Sequence, residues 1–344
     1  MKIYYSFRAL HGLDPNCADY IENIEKYISS ALDGFLIQET NFPFEIIIHD
    51  DASIDNTANI VREYENKYPN LFKPIYQKEN QYSQGLPFVK EYVVPLITGK
   101  YVAICEGDDF WVDQYKLKKQ YDALEANPDC YMCLHKVKRV KEDGKTWDGI
   151  FYPIYDYPND RMTTNFFFNK RKNDYFQTSC YFINGEKYVE YVTNKPEFAR
   201  ISPVGDVAML LYFPHIGNVY YINEVLSYYR FESDDSWSYK NKYTKGMDNF
   251  IRRRTHYEGM IEAVNSFNKY SHNEHENYCE YIIEHYQKQI DYIEYEKYRY
   301  LIDNCLYKNV FEEFNIKWLL EHDFSIKAIL KIIIMAYCPI IYDV

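Results

Sequence analysis

Apolar runs alternate with stretches of helical period through the first 140 residues of the chain. The run FEIIIHD at 44–50 is continuous, which is typical of a strand buried on both faces of a sheet. A helical period follows at 57–67, and a second apolar run at 100–105 precedes a helical stretch that Pro128 ends. Residues 130–140 again have the pattern of a strand. This alternation predicts an α/β fold with a doubly wound parallel sheet flanked by helices.

The pattern changes twice further along the chain. Residues 141–175 are rich in aromatic side chains without a regular period, which predicts a long functional loop such as a substrate lid. A strand at 177–185, a helix at 204–217 and further strands up to about residue 233 complete this part. Beyond about residue 242, apolar positions recur at helical spacing, so we expect a C-terminal helical appendage.

Composition and charge restrict the class of function. Hydrophobic residues make up 47% of the 344 residues, and glycine and proline are few (12 and 13), so the chain is a folded globular protein. The formal charge of −12, from 39 basic and 51 acidic residues, disfavours nucleic acid as a partner, because such binding needs a basic surface. Eight cysteines, two of them in apolar strand-like runs, predict reduced thiols and a cytoplasmic protein.

Signals for membrane contact are weak. No stretch reaches the roughly 18 apolar residues that a membrane span needs. The most apolar segment, 332–341, contains Pro339 and follows Lys327 and Lys331. Two interpretations of this tail stay open, namely peripheral contact with a membrane surface and, favoured by the sequence, a helix packed on the protein's own core.

Acidic side chains follow two of the predicted strands. Asp50 and Asp51 end the first apolar run, and Glu106, Asp108 and Asp109 end the second. Carboxylates this close repel one another unless a cation or hydrogen-bond donors neutralise them. Since the carboxyl ends of parallel strands meet at one edge of an open sheet, we expect one ligand site there. A nucleotide diphosphate held through a divalent cation would use carboxylates of this kind.

Other interpretations of these residues stay open. Acidic residues before a helix also act as ordinary caps, which applies to Asp50 and Asp51 and more strongly to Asp206. An acidic pair after an apolar strand also holds magnesium in phosphoryl-transfer and receiver-type domains, although no lysine stands at an obvious partner strand end. The lack of a GxGxxG sequence argues against a dinucleotide-dependent oxidoreductase.

For two pairs of basic residues the sequence predicts no functional role. Lys116 and Lys119 have the spacing of a solvated helix face. His272 and His275 are spaced for a metal ion, but their loop is polar and contains no third ligand nearby, so we expect no site there.

Two stretches of the sequence carry a family resemblance. FEIIIHDDASIDNT at 44–57 and GKYVAICEGDDFWVDQYKLKKQ at 99–120 strongly resemble glycosyltransferase family 2, the inverting, nucleotide-sugar-dependent enzymes with a GT-A fold. The segment GDVAMLLYFPHIGNVYYINEVLSYYR at 205–230 resembles the acceptor-side motif of that family more weakly. The resemblance implies a mixed, mostly parallel GT-A sheet flanked by helices.

The resemblance also implies a domain organisation. A GT-A catalytic domain would span residues 1–240, with a nucleotide-sugar half at about 1–135 and an acceptor half at about 136–240. The helical region at 241–344 lies outside the resemblance.

Roles for individual residues follow from the same resemblance. Asp51, with Asp50 beside it, would contact the nucleotide. Asp108 would face the ribose or the metal, and Asp109 would bind a divalent metal, Mn²⁺ or Mg²⁺, directly. Asp206 would be the catalytic base that removes the proton of the acceptor hydroxyl, while the metal stabilises the departing diphosphate.

The sequence departs from the family pattern in two places. The sequence at 1–16 lacks the Thr-Tyr-Asn-like turn that holds the nucleotide, and Glu232 stands where members often have a histidine near the metal. Glu232 is therefore a candidate third metal ligand, and Arg230 is a candidate contact of the donor diphosphate. We expect transfer of a sugar from a nucleotide-diphosphate donor to a glycan or lipid-linked glycan acceptor in surface polysaccharide biosynthesis. The alternative is a degenerate transferase-like module that binds nucleotide or glycan without turnover.

Overall fold

The computed structural model describes residues 2–6, 24–82, 84–169, 174–231 and 246–303, with the backbone alone at 2–6 and 301–303. Its strands are β1 Lys2–Ser6, β2 Glu45–Asp50, β3 Phe72–Tyr76, β4 Tyr101–Cys105, β5 Phe110–Trp111, β6 Cys130–Val140, β7 Trp147–Tyr152, β8 Asp160–Met162, β9 Phe182–Asn184 and β10 Asn218–Arg230. Its α-helices are α1 Ile28–Leu36, α2 Thr57–Lys67, α3 Lys116–Ala126, α4 Thr164–Asn169, α5 Gly185–Thr193, α6 Glu197–Ile201, α7 Gly205–Ile216, α8 Met247–Tyr270 and α9 Glu276–Asp303. Shorter helical turns are Ile24–Lys26, Val89–Val93, Val94–Leu96 and Thr178–Cys180.

The ten strands form one mixed sheet in the order β3-β2-β1-β4-β9-β6-β10-β5, with β7 beside β6 and β8 beside β10. Strands β3, β2, β1 and β4 are parallel to one another. Beyond β4 the pairs are antiparallel except β6 with β10. The predicted α/β architecture with a mixed sheet is confirmed, with a larger share of antiparallel pairs than the sequence suggested.

Both faces of the sheet are covered by apolar side chains. Along β2, Ile46 and Ile48 belong to the core cluster under α1 and α3, whereas Ile47 belongs to the cluster under α5, α6 and α7. Alternate residues of a strand point to opposite faces, so a strand buried on both faces must be apolar throughout. This explains why the run at 44–50 is continuous rather than alternating.

The prediction of a long loop at 141–175 was wrong. This segment contains β7, β8 and α4, and the first two pair antiparallel with β6 and β10. Some of its aromatic side chains belong to the core, since Tyr157, Phe167 and Phe168 are buried, whereas Trp147 and Tyr155 are exposed. Strand β8 depends on a partner far along the chain, which no local period reveals, whereas β7 forms a hairpin with β6, the strand directly before it.

The prediction that Lys116 and Lys119 both lie on a solvated face of α3 was wrong for Lys116. Lys119 lies at the surface, where its ammonium contacts Asp113 at 2.9 Å and Glu224 at 2.7 Å. Lys116 is completely buried, and its Nζ lies 4.0 Å from the centre of the Trp111 ring. The long aliphatic part of a lysine lets the residue occupy an inward helical position that a binary pattern assigns to solvent.

The predicted C-terminal helical appendage is confirmed by α8 and α9. Phe267 of α8 packs edge-on against Phe198 of α6, with ring centres 5.2 Å apart, and so joins the appendage to the core. Among the described residues, no helix has the length and apolar character required to cross a membrane. The apolar tail at 332–341, with Pro339, and the preceding Lys327 and Lys331 lie outside the described residues.

Candidate active site

The two acidic strand ends lie at one edge of the sheet. β1 lies between β2 and β4 and is parallel to both, so the carboxyl ends of the three strands share an edge. Asp50 and Asp51 are at the end of β2, and Asp108 and Asp109 come in the turn after β4. The fold therefore brings together the two acidic pairs that the sequence separates by more than fifty residues.

The first acidic pair is held by backbone amides. The two carboxylate oxygens of Asp51 accept hydrogen bonds from the N–H groups of Gln81 and Tyr82, at 2.8 and 2.9 Å. Asp50 accepts one from the N–H of Ser53 at 3.1 Å. Both aspartates are buried, so these bonds offset the loss of water around the charges. Asp51 thus fixes the loop after β3 against the end of β2.

The second acidic pair contains a deeply buried carboxyl group. Asp109 is fully buried, with one oxygen accepting the backbone N–H of Arg230 at 3.1 Å and the other accepting the side-chain amide of Gln177. Burial, followed by the nearby charges of Asp108 and Glu106, raises the pKa of Asp109 well above its ordinary value. The amide of Gln177 also lies 3.4 Å from Glu106. This strand end therefore holds two partly exposed carboxylates beside a buried carboxyl group whose charged form is disfavoured.

Arg230, at the end of β10, braces the turn that carries this charge. Its guanidinium donates to the backbone carbonyl of Asp108 and, at 3.1 Å, to the hydroxyl of Ser30. It lies between two aromatic rings, 4.5 Å from the centre of Phe110 and 5.0 Å from that of Tyr27. The structure thus places Arg230 beside the second acidic pair, where it holds the backbone conformation.

The predicted base, Asp206, lies in the first turn of α7. Its Oδ2 accepts hydrogen bonds from the hydroxyl groups of Tyr175 at 2.7 Å and Thr178 at 3.4 Å, and its Oδ1 accepts the N–H of Val207 at 2.7 Å. A carboxylate at a helix N-terminus is also stabilised by the helix dipole. Burial, followed by the charge of Asp206, raises the pKa of Tyr175 far above its ordinary value, so the phenol stays protonated as a donor.

Gln177 and Thr178 connect the two parts of the site. The side chain of Gln177 donates to Asp109, and that of its neighbour Thr178 donates to Asp206. Two consecutive residues thus contact the second acidic pair and the predicted base. Sequence reasoning missed Gln177, Thr178 and Tyr175, because a polar residue before a strand carries no signal of its distant partner.

A cavity of about 190 Å³ lies between α7 and the C-terminal helices. Its walls include Tyr175 and Val207 beside the predicted base, and Tyr278 and Tyr286 from α9. The appendage therefore contributes aromatic side chains next to the part of the site that holds Asp206.

The residues after β4 have the ligand chemistry of a hard divalent cation, although the ligand atoms of these described carboxylates do not all lie within 4.8 Å of one another. Glu106, Asp108 and Asp109 supply carboxylate oxygens within four positions of the chain, the ligand type that Mg²⁺ and Mn²⁺ prefer. A cation there would offset the charges of Asp108 and Glu106, which add to the effect of burial in raising the pKa of Asp109. The predicted third ligand, Glu232, lies outside the described residues.

Comparison with known protein families identifies a match over half of the chain. The family model described as Glycosyl transferase family 2 matches residues 18–191, just over half of the chain. The chain belongs to glycosyl transferase family 2. The family-2 match includes both acidic pairs and Gln177, whereas Asp206 and the C-terminal helices lie beyond it.

Curated relatives share parts of the chain. An uncharacterized protein of Mycobacterium tuberculosis is 45% identical over 132 residues, which are 38% of this chain and 37% of that protein. A Bacillus subtilis protein named provisionally as a teichuronic acid biosynthesis glycosyltransferase, TuaG, is 29% identical over 39% of this chain and 47% of its own length. The chain thus spans less than half the length of these relatives. The mannosyltransferase PcManGT from Pyrobaculum calidifontis, solved with GDP-Man and Mn²⁺, aligns with a TM-score of 0.48 and 12% identity over 98% of this chain and 81% of that chain.

Proposed function

We propose that the protein is a metal-dependent, inverting glycosyltransferase that moves a sugar from a nucleotide-diphosphate donor to a hydroxyl group of a glycan acceptor. The observation that carries this proposal is the pair Gln177 and Thr178, whose side chains contact Asp109 and Asp206. They hold the charged strand end and a candidate base at a fixed separation, as a single displacement between donor and acceptor requires.

On the donor side, the first acidic pair would contact the nucleotide, and the second would hold the metal. Asp50 and Asp51 are fixed by backbone amides, which leaves further lone pairs on their oxygens for base or ribose groups. Asp108 and Asp109 would hold Mn²⁺ or Mg²⁺, with Glu232 as a candidate further ligand. The bound cation would stabilise the negative charge that the departing diphosphate acquires.

On the acceptor side, Asp206 would act as the general base. The acceptor oxygen would form a bond to the anomeric carbon as the bond from that carbon to the diphosphate breaks, and the hydroxyl proton would move to the Asp206 carboxylate. Tyr175 and Thr178 orient that carboxylate through their hydroxyl groups. Arg230 would act by holding the turn of Asp108 rather than by contacting the reacting atoms.

The acceptor class and the setting extend the same proposal. We infer a catalytic domain over residues 1–240, with donor and acceptor halves meeting near 135, and a glycan or lipid-linked glycan acceptor in surface polysaccharide biosynthesis. The name of the Bacillus subtilis relative supports this acceptor class. The five described free cysteines are all buried, which agrees with reduced thiols and a cytoplasmic enzyme.

A panel of donors tests the proposal. The protein is mixed with Mn²⁺ and UDP-, GDP- or dTDP-sugars, and nucleotide release and donor binding are measured with and without a chelator. We expect metal-dependent release from one donor class, and we expect Asp109→Ala to abolish metal-dependent donor binding. Binding without release from any donor, even with glycan acceptors added, would favour the degenerate module. Unchanged donor affinity in Asp109→Ala would contradict the metal assignment.

A further inference from the structure

A second group of candidate metal ligands lies far along the chain from the acidic strand ends. His215 is in the last turn of α7, and Glu274 and His275 are in the turn between α8 and α9. The sequence predicted no site around His275, because no third ligand stands nearby in its loop. The fold supplies the missing partner from a helix sixty residues earlier.

The separations among these side chains match those around a tetrahedral metal ion. Nδ1 of His215 lies 3.0 Å from Nε2 of His275 and 3.7 Å from a carboxylate oxygen of Glu274. One ligand atom from each residue lies within 4.8 Å of the others. Zinc bonds of about 2.0–2.1 Å at tetrahedral angles place ligand atoms roughly 3.3 Å apart, which lies between the first two separations.

This group of three side chains is covered by aromatic rings on one side and exposed to solvent on the other. The ring of His275 stacks on Phe168 with centres 3.8 Å apart, and His215 lies edge-on to Phe267 at 5.9 Å and to Tyr270 at 5.8 Å. These rings exclude water from one side of the group. Glu274 has 64% of its side chain exposed, so the opposite side is open to an ion and to a water ligand.

The two imidazoles present ring nitrogens to each other. Nδ1 of His215 and Nε2 of His275 lie at the 3.0 Å separation of a hydrogen bond, and a metal ion would take the place of the hydrogen between them. Neutral imidazole and carboxylate together are ligands typical of Zn²⁺.

We propose that His215, Glu274 and His275 bind a divalent transition-metal ion, with Zn²⁺ as the best match. The ion would join the turn of the C-terminal helices to α7, the helix that carries Asp206 in its first turn. Its role would be structural, holding the appendage against the acceptor-side helix. This inference is independent of the proposed transferase activity, because it uses none of the residues of the acidic strand ends.

Metal titration of the full-length protein tests the site. The chain is stripped with a chelator, and Zn²⁺ affinity is measured by competition with a chromophoric chelator in excess Mg²⁺, which saturates sites made of oxygen ligands. Co²⁺ absorption spectra then report a four-coordinate site with nitrogen ligands. The variants are His215→Gln, Glu274→Gln and His275→Gln, with His272→Gln as the matched control, because His272 is exposed and outside the group.

We expect one tight Zn²⁺ ion per chain in the unaltered protein and in His272→Gln. Changes to supporting residues of metal sites commonly cost about 10–100-fold in affinity, so loss of either histidine ligand should weaken Zn²⁺ binding by at least about 100-fold. His215→Gln and Glu274→Gln change partly exposed side chains, so circular dichroism should show them folded even if His275→Gln is not. Failure of the unaltered protein to bind Zn²⁺ more tightly than His215→Gln, or a loss in His272→Gln as large as in His215→Gln, would overturn the proposal.

Discussion

Lys116 offers a quantitative test of how the region behind the second acidic pair is packed. Its ammonium is completely buried, donates to the Gln120 side chain at 2.7 Å and lies over the Trp111 ring. Among the described residues, no carboxylate forms an ion pair with it. Burial lowers the pKa of Lys116 from 10.5 to about 8. The charged form therefore costs stability at neutral pH.

The sign and size of the effect follow from proton linkage. Between pH 8 and 10.5 the unfolded chain still binds the lysine proton whereas the folded chain has lost it, so this group makes the protein more stable as pH rises. At about 1.4 kcal/mol per pKa unit, the contribution of Lys116 to the free energy of unfolding should increase by about 2 kcal/mol from roughly pH 7 to roughly pH 9.5. Buried cysteines titrate in the same range with the opposite sign, so a difference between variants is needed.

Urea unfolding of Lys116→Met against the unaltered protein measures this contribution, because most of the cysteine contribution is the same in both. We expect the stability of the variant relative to the unaltered protein to fall by about 2 kcal/mol over that pH range. Lys119→Met is the control, since Lys119 is on the same helix but forms surface ion pairs, which contribute about 0–1 kcal/mol. A difference for Lys116→Met that stays constant with pH would refute the buried, unpaired ammonium.

Three further substitutions test the packing and chemistry of the site. Gln177→Glu adds a carboxylate beside Asp109. With a chelator present, the melting temperature of this variant should fall below that of the unaltered protein and recover as the pH is lowered, because protonation removes the repulsion. Equal melting temperatures at all pH values would contradict this geometry. Gly34→Ala places a Cβ 2.7 Å from the backbone oxygen of Trp111. This clash should lower the free energy of unfolding in urea by about 1–3 kcal/mol and weaken donor binding. Unchanged stability would contradict the close approach of α1 to β5. Tyr175→Phe removes a 2.7 Å hydrogen bond to the candidate base, Asp206. This change should lower kcat by about tenfold or more while the donor affinity stays unchanged. An unchanged kcat would show that the hydroxyl of Tyr175 has no part in positioning the base.

Sequence patterns correctly predicted individual strands and helices whose apolar residues stand next to one another in the chain. The continuous run at 44–50 predicted a strand buried on both faces, and Ile46 and Ile47 indeed face different core clusters. The helix that begins with Gly205 and ends before Gly217 was also predicted correctly, because its apolar residues and its terminal glycine stand next to one another in the sequence.

Contacts between distant segments could not be predicted in this way. Gln177 meets Asp109 across 68 residues, and His215 meets His275 across 60. Strand β8 pairs with β10, which comes much later in the chain, so the segment at 141–175 has no period of its own that reveals this strand. Partners of this kind are determined by the complete fold, so the sequence predicted acidic strand ends but not the residues that connect them.

The turnover rate of Asp206→Asn, on the donor that the panel identifies, shows whether Asp206 is the catalytic base. The substitution keeps the shape of the side chain and its place at the start of α7, but it removes the carboxylate that would take the acceptor proton. General-base catalysis contributes about 10²–10⁴-fold, so we expect transfer to fall by at least about a hundredfold while the donor Kd, measured with Mn²⁺, stays unchanged. Transfer within a few-fold of the unaltered protein would show that Asp206 is not the catalytic base.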